Sequence, residues 1–239
     1  MTNLIISDRK SKESNLIYLK DSLSDFVKTT GCETSLALDG SRCVLTIKSS
    51  DYYEDIIRAE AIIKVAEIIA INYKYDFFKD YVKIGGLSSV ETEILFTGLI
   101  AADLDEDKRY TYEKTKDLEE IAIDGIFNFR LLPLRKKWQD VAEYIPTSFI
   151  NSQLREFVSF LIENRRKTIY VENGLVYDGH YRRLKRSDLI PDSNVKLLKE
   201  VLLSNSGEIR LSGSLPKEDE RFLREYYSDR IYFSNGYYN

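Results

Sequence analysis

Two groups of cations flank one short stretch of the chain: Arg165, Arg166 and Lys167 before it, Arg182, Arg183, Lys185 and Arg186 after it. Tyr170, Tyr177 and Tyr181 are interleaved with them. Cations beside rings suit single-stranded nucleic acid, the charges meeting phosphates and the rings stacking on bases. Against this, the whole chain is acidic, with net charge -4 and a pI of about 5.3, whereas nucleic-acid domains are basic overall. The competing account is a solvated surface, or a dock for the acidic 103–120 segment of this same chain.

Other residues offer less. His180 follows Asp178-Gly179. An Asp/His pair can move protons, but no Ser or Cys nucleophile is placed beside it, so a turn histidine is expected. The acidic run Asp103, Asp105, Glu106, Asp107 lacks the EF-hand pattern and reads as a charge run in a helix linker. Two cysteines, Cys32 and Cys43, and one histidine are too few for a disulfide framework or a Cys/His zinc site. The phosphate-loop, dinucleotide and nucleophile-elbow patterns do not occur. No catalytic residue, cofactor or metal ligand is therefore expected.

Elements must position these residues. Leu4 to Ile6 reads as a strand and Glu13 to Lys28 as a helix with Leu16, Leu19, Leu23, Phe26 and Val27 on one side. Thr34–Leu38 and Arg42–Lys48 read as a hairpin turning at Asp39-Gly40. That turn pairs Leu36 with Cys43 and Cys32 with Ile47. The two thiols then stand roughly 13 Å apart, beyond disulfide reach, as small buried hydrophobes. A long helix is expected from Tyr52 to Tyr81, ended by Gly85-Gly86. Ser88 or Ser89, with Glu91 or Glu93, starts another that runs to about Leu104. Asp105 to Ile121 follows as a helix or turns. Ile126–Tyr144 is helical around Pro133, and Ser148–Arg166 is amphipathic.

From Lys167 the period falls from about 3.6 to 2. Strands Thr168–Val171 and Leu175–Tyr177 flank Asn173-Gly174, a strong hairpin signal. A helix from Ser193 to Ser204, a strand from Glu208 to Leu211, a helix from Lys217 to Tyr227 and a strand from Arg230 to Phe233 complete a β-β-α-β-α-β unit. The fold class is α/β (α+β): an N-terminal β-α-β-β-α part over 1–84, a helical middle over 85–166 and a small C-terminal α/β unit over 167–239. Charge is uneven, with 9 basic and 18 acidic side chains over 51–124, as a partner surface or solvated helix faces would give. The apolar run at Leu4–Ile6 is too short for a signal peptide, and Ile56–Ile71 carries charges that exclude a membrane span. A soluble, cytoplasmic protein is expected.

Ile123-Asp124-Gly125-Ile126-Phe127-Asn128-Phe129-Arg130 resembles the (I)DGFxxFR signature of the YtxC-like sporulation family. Gln153–Leu161 resembles that family's later helix. Ile209–Ser212 and Arg230–Phe233 resemble its C-terminal strands. Ile126 stands where the family has Phe, and Ser234 where it has Cys. The resemblance covers roughly residues 90–239 and implies a role in sporulation without naming catalytic residues. Within the signature, Asp124, Gly125, Phe127, Phe129 and Arg130 read as structural. Asp124 caps a helix, and Phe127, Leu131, Leu134 and Trp138 form its buried face. Arg130 anchors neighbouring carboxylates. The leading expectation is thus a non-enzymatic interaction protein with a protein partner, acting in sporulation. The alternative is nucleic-acid binding through the region 165–186.

Overall fold

The structure, a computed structural model, describes residues 2–191 and 195–233. Ser193, the expected helix start, and Ser234 lie outside them. The architecture is α/β, as expected, with two four-stranded mixed sheets. The chain packs as two compact units. One contains residues of 1–77 and 105–141, the other residues of 78–104 and 142–239. The segment 85–166 is thus divided between them.

The first unit begins as the hydrophobic periods predict, except that the one helix expected over Glu13–Lys28 is two, parted at Leu23: β1 (Thr2–Arg9), α1 (Glu13–Ser22), α2 (Ser24–Thr30), β2 (Glu33–Asp39), β3 (Arg42–Ser49) and α3 (Glu54–Ile68). A π-helical turn at Ile69–Tyr73 leads into α4 (Lys74–Tyr81), and α5 spans Ser89–Thr115. Then come β4 (Ile121–Ala122), α6 (Ile123–Gly125), a second π-turn at Ile126–Arg130, and α7 (Leu132–Tyr144). The sheet order is β2-β3-β1-β4, with β1 antiparallel to β3 and parallel to β4. The β2–β3 turn falls on Gly40-Ser41 instead of Asp39-Gly40, because Leu38 pairs with Cys43 and Asp39 with Arg42. Gly40, at φ +57°, takes the left-handed position. The register moves by two residues, so every side chain keeps its face: Cys43, Leu45 and Ile47 are still buried. Cys32 is only half-buried.

Alternation along β1 turns Ile6 and Asp8 inward together, both fully buried. Asp8 accepts from the Tyr73 hydroxyl at 2.6 Å, from Asn15 Nδ2 at 3.0 Å and from the Arg9 N–H at 2.8 Å. Burial still pushes its carboxyl above the usual range. Helix α5 runs through the expected linker without a break, and that overturns the reading of the acidic run. Asp107 is fully buried, and its Oδ2 accepts from Lys74 Nζ at 2.6 Å and from Trp138 Nε1 at 2.9 Å. A buried charge persists only when paired in this way. Pro133 sits in the first turn of α7, where its missing N–H costs nothing, so it starts a helix and does not kink one.

The second unit starts with the end of α4 and the first part of α5. Ser88 caps α5: the Ser88 hydroxyl accepts from the Glu91 N–H at 3.3 Å, and Glu91 Oε2 accepts from the Ser88 N–H at 2.8 Å, a reciprocal capping box. There follow α8 (Asn151–Glu163), β5 (Lys167–Glu172), β6 (Leu175–Tyr177), α9 (Lys196–Leu203), β7 (Ser206–Ser212), α10 (Lys217–Tyr227) and β8 (Ile231–Phe233). This is the expected β-β-α-β-α-β order. Glu172 pairs with Leu175 across Asn173 and Gly174, both at positive φ, as the Asn-Gly signal requires. The sheet order is β6-β5-β7-β8, with β5, β7 and β8 parallel. Leu154, Val158 and Ile162 of α8 share one core with Val201 and Leu202 of α9, Leu223 and Tyr227 of α10, and Ile169, Val171, Val176, Ile209 and Leu211 of the strands. Each such burial contributes about 1.5–3 kcal/mol. Gly98 in α5 permits this packing, since a Cβ there would lie 2.8 Å from Phe157.

Candidate functional site

With Ile169, Val171, Val176, Ile209 and Leu211 turned into the core, the alternate residues of the second sheet face outward. Register decides which of them meet. Arg183 bridges Tyr177, Tyr177 pairs with Tyr170, Tyr170 with Arg210, and Arg210 with Tyr232. The result is a single transverse row, Arg183-Tyr177-Tyr170-Arg210-Tyr232. At about 4.8 Å per strand it spans roughly 19 Å. Two cations and three rings share it, Arg210 lying between Tyr170 and Tyr232.

Tyr181 completes the row. Its ring centroid lies 4.8 Å from that of Tyr170 and 5.6 Å from that of Tyr177, nearly parallel to the latter. The Tyr181 hydroxyl donates to Glu172 at 2.5 Å, which pushes its pKa up. Its backbone is in the left-handed region at φ +59°, a conformation a tyrosine adopts only when its surroundings impose it. The tight turn imposes it here: Asp178 Oδ1 accepts from the His180 and Arg182 N–H groups, both at 2.9 Å. His180 is thus an exposed turn residue, as expected. Arg210 lies over the Tyr170 ring, 5.9 Å from its centroid. Tyr181 and Tyr232 are 54% and 52% exposed, so two rings stand open to a planar ligand.

The seven expected cations do not form one patch. Arg165 donates to the carbonyls of Leu202 and Ala101, and Arg186 to that of Leu203. Both serve the C-terminal turn of α9, where positive charge is favoured. Arg182 is held by Asp178, Nε to Oδ2 at 2.9 Å. The chain reverses at that turn, so Arg183 and Lys185 run back along β6, away from Arg165. They line a pocket of about 460 Å³ with Lys196, Glu200 and Asp219. Arg166 is exposed just ahead of β5, and Lys167 is exposed as its first residue. Arg183 alone of the seven stands in the row. Arg210 and Tyr232 escaped the sequence reading, although alternation with Ile209 and Leu211 already marked Arg210 as outward. Their neighbours are set by parallel pairing, which no local turn signals.

The signature at 123–130 divides in two. Asp124 makes no N-cap; it accepts instead from Arg42 Nη2 at 2.7 Å and Arg9 Nε at 3.4 Å. Burial pushes Asp124 up, but the two guanidiniums outweigh it and hold its carboxyl below the usual range. Phe127 meets Tyr73 at 4.8 Å and Trp138 at 5.9 Å between ring centroids. Leu131, Leu134 and Trp138 are buried, as expected. Among the described residues Arg130 anchors no carboxylate. It is exposed, and Arg42 takes the role expected of it. Gly125 approaches Ala122, to whose Cβ a Cβ of its own would come within 3.5 Å.

Among the described residues no group of three or more His, Cys, Asp or Glu side chains could hold a metal ion, and no helix is long and apolar enough to cross a membrane. Comparison with protein-family models, with curated proteins and with solved structures found no match.

Proposed function

We propose that this protein is a non-enzymatic binding protein that holds single-stranded nucleic acid across the row Arg183-Tyr177-Tyr170-Arg210-Tyr232. The observation that carries this reading is the register that puts two cations and three tyrosines on one outward row, with Tyr181 stacked above it. Rings accept bases of any sequence by stacking, and the guanidiniums of Arg183 and Arg210 beside them meet the phosphates. The setting we propose is cytoplasmic and sporulation-related, on the resemblance of 123–130 and the C-terminal strands to the YtxC-like family, and with no cofactor.

The test is fluorescence anisotropy of a labelled 12-mer of oligo(dT) or oligo(U) titrated with the full chain at 20 to 200 mM salt. Binding that weakens steeply with salt, and that falls at least fivefold in Tyr232→Ala but not in Tyr232→Phe, supports the reading. No binding at the lowest salt, or equal binding by the alanine variant, overturns it. An affinity pull-down from sporulating cells that recovers a protein partner after nuclease treatment, with the row variants unaffected, would leave interaction with a protein as the function.

A further inference from the structure

In the first unit the signature leaves half of itself unused by the core. Asp124 and Phe127 are tied inward, but Phe129, two residues on, is 79% exposed, and Arg130 is exposed beside it. The π-turn at Ile126–Arg130 breaks the phase that would let Phe129 follow Phe127 onto the buried face. A solvent-facing phenylalanine gives up the stabilisation that its burial would supply. Here it lines an open groove of about 600 Å³ together with Ile126 and Arg130. The opposite lip is the segment between α5 and β4, which carries Asp117, Glu119 and Glu120. That lip is pinned, because the Arg58 guanidinium donates to the Leu118 carbonyl. The groove therefore has a fixed acidic side and an apolar floor.

We infer that this groove docks a segment of a partner protein in which basic side chains flank an apolar one. Charge complementarity selects the partner: three carboxylates face one arginine, so a segment rich in Lys or Arg is attracted and an acidic one repelled. The apolar residue rests on Phe129 and Ile126, giving contact area at the centre and charge at the rim, the usual anatomy of a binding surface. This docking site lies in the first unit and does not depend on the nucleic-acid reading, which concerns the second.

Fluorescence anisotropy with the full chain tests it. The probe is a fluorescein-labelled Gly-Lys-Leu-Lys-Leu-Lys-Gly peptide, with a Glu-for-Lys and a Ser-for-Leu peptide as comparisons. Expected is binding of the Lys/Leu peptide alone, weakened at least fivefold by Phe129→Ala and by the double variant Glu119→Gln, Glu120→Gln, and unchanged by Tyr232→Ala. Phe129 is exposed, so its replacement leaves the fold intact, which an unchanged urea unfolding midpoint verifies. Failure to bind, equal binding of the acidic or Ser-containing peptide, or indifference to Phe129→Ala overturns the proposal. So does sedimentation showing that the chain dimerises through this face and that Phe129→Ala abolishes the dimer, because the occupant would then be a second copy.

Discussion

Arg210 on β7 stands directly opposite Tyr170 on β5, its guanidinium carbon 5.9 Å from the ring centroid. The pair lies at the centre of the outward row and joins the hairpin half of the sheet to its parallel half. A cation held against a ring is positioned for a phosphate while keeping its own hydration partly shed.

Arg210→Ala should therefore lower affinity for the single-stranded 12-mer and reduce its salt dependence by about one phosphate contact, a slope change of about 0.7 in log K against log salt. Arg210→Lys should keep the slope but lose affinity, since lysine does not stack on the ring. A salt titration of each variant decides this. An unchanged slope in the alanine variant would remove Arg210 from the phosphate path.

Structural and ligand-facing cations should separate cleanly. Arg165→Met strips a donor from the carbonyl of Leu202 at the end of α9 and should cost about 1–2 kcal/mol of stability while leaving nucleic-acid affinity alone. Arg183→Met should do the opposite. Urea unfolding and anisotropy on both variants read the two effects independently.

Asp107→Ala leaves Lys74 charged in a site where its side chain is 1% exposed. We expect a loss of about 3–5 kcal/mol, the range for breaking a buried ion pair by removing one partner. Asp140→Ala breaks the exposed pair with Lys136 and should change stability by less than about 1 kcal/mol. Comparable midpoints for the two variants would contradict the burial of the Lys74–Asp107 pair.

Acid stability has an assignable sign. Asp124, held low by Arg42 and Arg9, has a folded pKa below its ordinary 3.8. The unfolded chain takes up the proton first, so this stabilisation is present above pH 3.8 and lost as pH falls through the folded value. Glu91, held low by the Ser88 N–H, acts in the same direction. Asp8 acts in the opposite one: its raised pKa means stability declines as pH rises from 3.8 toward the folded value. Asp124→Asn should flatten the acid limb of a stability–pH curve measured by urea unfolding, and an unchanged limb would exclude it as a contributor.

Gly207→Ala should be severe. A Cβ there would lie 1.9 Å from the Arg165 carbonyl oxygen, a backbone atom with nowhere to go. A loss at or above the upper end of about 1–3 kcal/mol is expected for such overpacking, read as a lowered unfolding midpoint.

Local chemistry was legible in the sequence wherever one residue or one short period decides the outcome. Asn173-Gly174 specified its turn because two adjacent residues need positive φ. Ser88 or Ser89, with Glu91 or Glu93, signalled a helix start, and the period change at Lys167 specified the β-β-α-β-α-β order. The Asp39-Gly40 hairpin was placed two residues out of register, yet its faces were right, because a shift of two preserves alternation. Tertiary structure alone decided what depends on residues distant in the chain. Tyr170, Tyr177 and Tyr181 were visible as rings near cations, but parallel pairing of β5, β7 and β8 brought in Arg210 and Tyr232 from 40 and 62 residues away. The same long-range packing buried Asp107 against Lys74, turned Arg165 and Arg186 into helix caps, and gave Asp124 to Arg42 in place of a helix N-terminus. A sequence fixes which face of its own element a side chain takes, because that is a matter of backbone period. Which partner waits on that face is set by how elements pack, and packing is a property of the whole chain.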